Sequence, residues 1–263
     1  MSKKKPFNGV KGILTDIDGT LYFKGIPIPG AIETILKLRE MGLKFLFFTN
    51  TDSKSPTTVL NTLQEYGFFI NKDEVFTPII ALKEFLSKFP EKKSYFITTA
   101  EVEEEFKEIP QVKDSEIPDF VVLGDFHDNW DVNRLNIAFK YLLKGAQLLG
   151  TQGNRYYLDR NGEPVLDTGS FIQMIAYAAN TTPKIFGKPS KQYFLQALKK
   201  LDLTPGEVIV VGDDLESDIQ GAINTGIKAI LVKTGKGQNF EPNNVKIKPY
   251  LILNSFSSII ELF

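Results

Sequence analysis

Apolar and polar positions along this chain fall into a repeating strand–helix–strand rhythm. From Val10 to Asp16 a β-rich apolar run ends abruptly in Asp16-Ile17-Asp18-Gly19-Thr20, which predicts a buried strand feeding a turn. Residues Gly30 to Met41 carry helical spacing at Ile32, Ile35, Leu36 and Leu38 with Gly42 as the stop, and Lys44–Phe48 predicts a second buried strand that reaches Thr49-Asn50-Thr51. The rhythm returns near the C-terminus, with a strand over Glu207–Val211, a helix over Asp214–Asn224 stopped by Gly226, and a strand over Ile227–Val232 before a short last strand and helix. Strands alternating with helices predict a parallel α/β sheet.

Between the two halves, from about Phe89 to Pro183, run further alternating units: Tyr95–Thr98, Val102–Lys107, Phe120–Leu123, Val132–Leu143 and Gln147–Leu149. An insertion that leaves a sheet and returns to it needs two linkers, and the stretches Pro90–Lys93 and Pro183–Pro189 suit them. The expected organisation is a core from 1–88 and 184–263 with an α/β domain, 89–183, inserted into it.

Composition narrows the functional classes. The 263 residues are 42% hydrophobic and 24% charged, enough to bury a substantial core. A formal net charge of −1 provides no field to recruit nucleic acid or an anionic membrane. With no cysteine, disulfides, thiolate metal sites and cysteine nucleophiles are excluded together. The basic start, Met1-Ser2-Lys3-Lys4-Lys5, leads into no secretory apolar core, and no run approaches the ~18 apolar residues of a membrane span, so a cytoplasmic protein without membrane or nucleic-acid partners is expected. The Asn180-Thr181-Thr182 triplet is a chance sequon in that setting.

Two acidic clusters stand at the ends of apolar strands. Asp16 and Asp18, with Gly19 permitting a sharp turn, converge over the carboxyl edge of the sheet, where open α/β sheets bind ligands. Metal binding or acid–base work is one reading; a solvated Asx-type turn is the other. In Gly212-Asp213-Asp214-Leu215-Glu216-Ser217-Asp218, Asp214 suits an N-cap and Glu216 a first-turn acid, whereas Asp213 suits a metal site. A calcium loop counted from Asp16 fails because its twelfth position is Pro27, and neither Gly187-Lys188 nor Gly235-Lys236 has the upstream glycine of a P-loop. Several carboxylates repel a phosphate unless a cation intervenes, so the acids imply Mg²⁺ alongside neutral and basic phosphate binders, for which Thr49, Asn50 and Lys188 are candidates.

Four motifs stand in order: Asp16-Ile-Asp-Gly-Thr-Leu21, Phe48-Thr-Asn-Thr51, Gly187-Lys-Pro189 and Val211-Gly-Asp-Asp-x-x-x-Asp218. Together they resemble the haloacid-dehalogenase superfamily over nearly the whole chain, and the insertion between the second and third resembles its subgroup with a large α/β cap, which includes NagD-like and pyridoxal phosphate phosphatases. Thr49 to Ser55 and Arg155-Tyr156-Tyr157 resemble the branch of phospholysine phosphohistidine inorganic pyrophosphate phosphatase. The resemblance implies a Rossmann-like, doubly wound core with an inserted cap, and an Mg²⁺-dependent phosphatase acting on a small phosphorylated compound. It implies that Asp16 is the nucleophile, phosphorylated in transit, and a metal ligand. Asp18 would be the acid–base residue and lend a backbone carbonyl to the metal. Thr49, Asn50 and Lys188 would hold the phosphoryl group. Asp213 would be the third protein ligand and Asp218 would orient Lys188 or metal-bound water from behind.

The cap implied by this resemblance closes over the site and selects the substrate. Gly150-Thr-Gln-Gly-Asn154 stands where NagD-like relatives tend to have Asn-Pro-Asp, so their nucleotide or pyridoxal substrates do not carry over. Caps of this type support dimers, so a homodimer through the cap is expected. His127, the only histidine, follows a cap strand and suits either a solvated loop or a leaving-group contact, and Tyr156 and Tyr157 stay unassigned. A phosphomutase, a non-catalytic phospholigand-binding protein and a two-component receiver are the alternatives; the receiver is about half this length.

Overall fold

In a computed structural model of the chain, residues 7–113, 116–159, 161–241 and 246–263 are described. The first strand, β1 (Gly12–Thr15), leads through a small hairpin of β2 (Tyr22–Phe23) and β3 (Ile26–Pro27) into helix α1 (Ala31–Glu40) and strand β4 (Lys44–Phe48). Helix α2 (Pro56–Glu65), strand β5 (Val75–Phe76) and helix α3 (Pro78–Leu86) complete this half. Both α2 and α3 begin Ser/Thr-Pro. Ser55 Oγ accepts from the Thr58 N–H and Thr77 Oγ1 from the Ile80 N–H, while the proline fills a first-turn position that needs no donor.

The inserted region supplies β6 (Ser94–Ile97), α4 (Ala100–Glu105), β7 (Phe120–Leu123), α5 (Val132–Leu143) and β8 (Gln147–Gly150). A hairpin of β9 (Tyr156–Leu158) and β10 (Pro164–Leu166) follows, then α6 (Thr168–Ala178) and β11 (Lys184–Ile185). The chain returns to the first sheet through α7 (Lys191–Leu201), β12 (Val208–Gly212), α8 (Gly221–Thr225), β13 (Lys228–Val232) and β14 (Leu251–Leu253). The helix expected over Asp214–Asn224 opens instead as a wide π-type turn, Leu215–Gln220, before tightening into α8.

The core sheet runs β14-β13-β12-β1-β4-β5 and is parallel throughout. Alternate residues face opposite sides. Leu14, Leu46, Phe48 and Val210 pack with Phe194 and Leu198 of α7, while Ile13, Phe45, Phe47 and Ile209 pack with Ile35 and Leu38 of α1. Helices on both faces make the sheet doubly wound, the Rossmann-like fold expected. A second parallel sheet, β11-β8-β7-β6, is covered by Leu135, Ala138 and Leu142 of α5 and Ile172 and Ile175 of α6. Its last strand lies just past the boundary expected at residue 183. The apolar cluster under α7 also takes in Phe96, Phe120, Val122 and Leu149, so the two sheets share packed side chains on one side.

Candidate active site

Strands β12, β1 and β4 are neighbours in that order, and Thr15 is level with both Val211 and Phe47. The three loops that follow them therefore leave the sheet side by side at its carboxyl edge, where connections diverge in opposite directions from β1. The Asp16 N–H still donates to Val211 O at 2.8 Å, so the first motif is a direct extension of the ladder. All seven site residues expected from the sequence, Asp16, Asp18, Thr49, Asn50, Lys188, Asp213 and Asp218, line one pocket of about 340 Å³ between this edge and the cap.

At its floor Lys188, only 2% exposed, donates from Nζ to Asp16 Oδ1 at 2.5 Å and to Asp218 Oδ1 at 2.6 Å. Burial by itself would lower the Lys188 pKa, but Asp16 and Asp218 outweigh it and hold the ammonium charged. Asn50 fixes the lysine's backbone. Its Oδ1 accepts from the Lys188 N–H at 2.7 Å and its Nδ2 donates to Lys188 O at 3.0 Å and to Asn154 Oδ1 at 2.9 Å. The Asn50 side chain is thus engaged in scaffolding, which leaves its backbone for any phosphoryl contact.

Thr49 Oγ1 pairs with Thr51 Oγ1 at 2.9 Å and accepts from the Thr51 N–H at 3.0 Å. Beneath it Tyr193, fully buried, donates to the carbonyls of Thr49 and Phe76, 2.9 Å from each.

Gly19 has φ +83°, and a Cβ there would fall 2.3 Å from Asp213 Oδ2, so only glycine lets the first loop turn this close to the third. Asp213 Oδ2 also accepts from the Lys236 N–H at 2.6 Å. Burial, together with the charges of Asp16, Asp218 and Asp214, pushes the Asp213 carboxyl well above its ordinary range. Asp218 is raised by burial in the same way, against the opposing pull of Lys188. Oxygens of Asp16, Asp213 and Asp218 lie within 4.8 Å of one another. Three buried carboxylates that repel each other and offer only hard oxygen donors fit a divalent cation such as Mg²⁺.

The Asp18 carboxyl is open to solvent at the mouth yet walled by protein on its other sides. Burial, with the nearby Asp16 charge, raises it from 3.8 to about 6. Asp214 is the N-cap foreseen, accepting from the N–H groups of Glu216 at 2.8 Å and Ser217 at 3.1 Å.

Three contributors went unrecognised in the sequence. Lys236 follows Gly235 in a Gly-Lys pair without the upstream glycine of a P-loop; its Nζ donates to Asp214 Oδ2 at 2.5 Å and to the carbonyl of Tyr156 on the cap hairpin at 2.9 Å, with its charge over the Tyr156 ring. Asp52, 4% exposed, accepts from Thr151 of the cap at 2.5 Å. Glu216 is bridged by Arg155 of the cap through two hydrogen bonds. Each joins core to cap, and no one-dimensional spacing reports a contact made across two domains.

A family model described as haloacid dehalogenase-like hydrolase matches residues 13–110, and a second of the same type matches residues 185–259. The chain is 33% identical over 252 residues to mouse haloacid dehalogenase-like hydrolase domain-containing protein 2, covering 96% of this chain and 95% of that protein. It is 30% identical to human phospholysine phosphohistidine inorganic pyrophosphate phosphatase over 264 residues, 98% of this chain and 96% of that one. Among solved structures, the 4-nitrophenylphosphatase of Thermotoga maritima superimposes with a TM-score of 0.87 at 27% identity, covering 97% and 98% of the two chains. NagD of E. coli gives 0.82 at 25% identity, covering 95% and 98%. The four-motif pocket at the sheet edge and these full-length likenesses agree: the chain belongs to the haloacid dehalogenase-like hydrolases and is one of their phosphatases.

Proposed function

We propose that the protein is a magnesium-dependent phosphatase that hydrolyses a small phosphorylated compound through an aspartyl-phosphate intermediate, an acyl phosphate formed on Asp16. The observation that carries this is the buried Lys188 ammonium held between Asp16 and Asp218 beside Asp213, because it sets a nucleophilic carboxylate, a cation for the phosphoryl oxygens and a metal-binding acid within one pocket. Asp16, Asp213 and the Asp18 carbonyl would hold the metal, with Asp218, whose two oxygens already accept from Lys188 and the Asp214 N–H, positioning the lysine. When bound, Mg²⁺ supplies charge neutralisation for the incoming phosphate.

An Asp16 oxygen attacks phosphorus; the bond to the leaving group breaks, and Asp18 gives that departing oxygen a proton. A carboxyl raised to about 6 retains enough of its acid form near neutral pH for that donation. Asp18 then takes a proton from water, the water oxygen bonds to phosphorus, and the bond to Asp16 breaks to release phosphate. Lys188, the Thr49 hydroxyl and the Asn50 N–H hold the phosphoryl oxygens through both steps.

Pyrophosphate or a phosphoamide is the alternative substrate class, supported by the name of the human relative. Among the described residues no helix is long and apolar enough to cross a membrane. A homodimer through the cap belongs to the same proposal, supported by exposed Trp130, Met174 and Tyr177 there, and light scattering measures it. The deciding experiment is phosphate release from an aryl phosphate with and without Mg²⁺, for the wild type and for Asp16→Asn. Metal-independent turnover, or turnover that survives the substitution, sinks the proposal; phosphoryl transfer without phosphate release would favour a mutase.

A further inference from the structure

The turn after β7 adds a pair of side chains to the cap wall of the same pocket. Asp125 and His127 both line it. Asp125 Oδ1 accepts from the His127 backbone N–H at 2.8 Å and pairs with the ring Nδ1 at 2.7 Å. A carboxylate at Nδ1 sets the neutral ring with its proton there and leaves Nε2 as an acceptor.

The ring is 70% exposed, but the turn beneath it is anchored. Phe126 is buried, stacks on Trp130 with centroids 5.1 Å apart and meets Phe171 edge-on at 5.3 Å. Asp128 accepts from the Ala100 N–H at 3.3 Å. Gly124 lies so close to the neighbouring strand ends that a Cβ would stand 3.1 Å from Thr151 and 3.2 Å from Thr98. An exposed imidazole on a fixed base, with one nitrogen already oriented, is built as a ligand contact would be. The carboxylate of Asp167, on the same wall, is a further acceptor.

We propose that Asp125 and His127 form the leaving-group subsite, with His127 Nε2 accepting a hydrogen bond from a hydroxyl or amino group of the departing alcohol. This rests on the phosphatase reading above and narrows it. Phosphorylated polyols and amino alcohols, which carry the donor that Nε2 accepts, are favoured. His127 sets specificity and position; the proton to the leaving oxygen remains with Asp18.

The test is calorimetric binding of glycerol 3-phosphate, ethanolamine phosphate and phenyl phosphate in excess Mg²⁺ to the Asp18→Asn protein, which holds them unhydrolysed, with and without His127→Ala. One lost hydrogen bond weakens the first two by about fivefold and leaves phenyl phosphate, whose leaving group has no donor, within about twofold. His127→Gln, whose carbonyl can reach the Nε2 position, restores part of the difference, which a purely structural role would not allow. An equal loss for all three ligands, no loss for any, or no measurable binding overturns the proposal. Wild-type turnover of phenyl phosphate, followed in parallel, reports on the phosphatase reading separately: its absence with the binding pattern intact would sink that reading and leave the subsite standing.

Discussion

Lys188 reaches across 172 positions of sequence to donate to Asp16 at 2.5 Å, and both side chains are buried at the carboxyl edge of the sheet. Removing the ammonium leaves Asp16 and Asp218 buried without their ion-pair partner, which costs about 3–5 kcal/mol. It also withdraws the cation that would meet charge on the phosphoryl oxygens, worth roughly 10²–10³ in kcat. Lys188→Met is therefore expected to lose stability in urea and nearly all turnover. A kcat within about threefold of wild type would remove Lys188 from the site.

Asp213 offers a case in which stability and metal binding move in opposite directions. Its folded-state pKa lies well above that of the unfolded chain, so its contribution to stability is complete below the unfolded value and is lost as pH rises through the folded one. Asp213→Asn keeps an acceptor for the Lys236 N–H and removes the repulsion from Asp16 and Asp218. Without metal its Tm is expected to exceed the wild type at neutral pH, by about 2–4 °C for each kcal/mol relieved. Calorimetric Mg²⁺ affinity is expected to fall, and chelation of wild type should abolish turnover without unfolding it.

Asp52, on the wall of the same pocket, carries another raised carboxyl. Asp52 is pushed well above the ordinary range by burial and by the charge of Asp167, and Thr151 opposes this only in part. The same sign applies: stability falls as pH rises from about 4 upward through the folded pKa. Asp52→Asn should therefore melt higher than wild type at pH 8 and lose that advantage near pH 4. Parallel Tm profiles for the two proteins across this range would refute the assignment.

Arg155 and Lys236 each link cap to core, and their ion pairs differ in burial and so in expected effect. Arg155 and Glu216 are 68% and 58% exposed, a pair worth at most about 1 kcal/mol. Lys236 and Asp214 are 19% and 16% exposed, and Lys236 also holds the Tyr156 carbonyl and, through its backbone, Asp213. Lys236→Met is expected to lower kcat/KM by about tenfold through loss of cap closure, and Arg155→Ala by less than about threefold. Steady-state kinetics on one aryl phosphate compares them directly.

Much of the fold was legible because buried strands announce themselves. Lys44–Phe48, Phe120–Leu123 and Val132–Leu143 lie where the apolar pattern puts them. Helices α2 and α3 drew no prediction from that pattern, although Ser55-Pro56 and Thr77-Pro78 mark their starts with capping chemistry. The β9–β10 hairpin was invisible for another reason: its residues are half-buried or exposed on both strands, so no side of it shows an apolar period.

The amino-acid sequence by itself determined the parallel α/β core and the insertion, since apolar runs are a local property, and it offered the acids, threonine, asparagine and lysine of the pocket through four short motifs in fixed order. Only the tertiary structure decided how those residues are used. Asn50 grips the Lys188 backbone, Asp213 is strained by its neighbours, and Lys236, Asp52 and Arg155 bind cap to core. These relations depend on burial and on contacts between segments far apart in the chain, and neither quantity exists until the chain has folded.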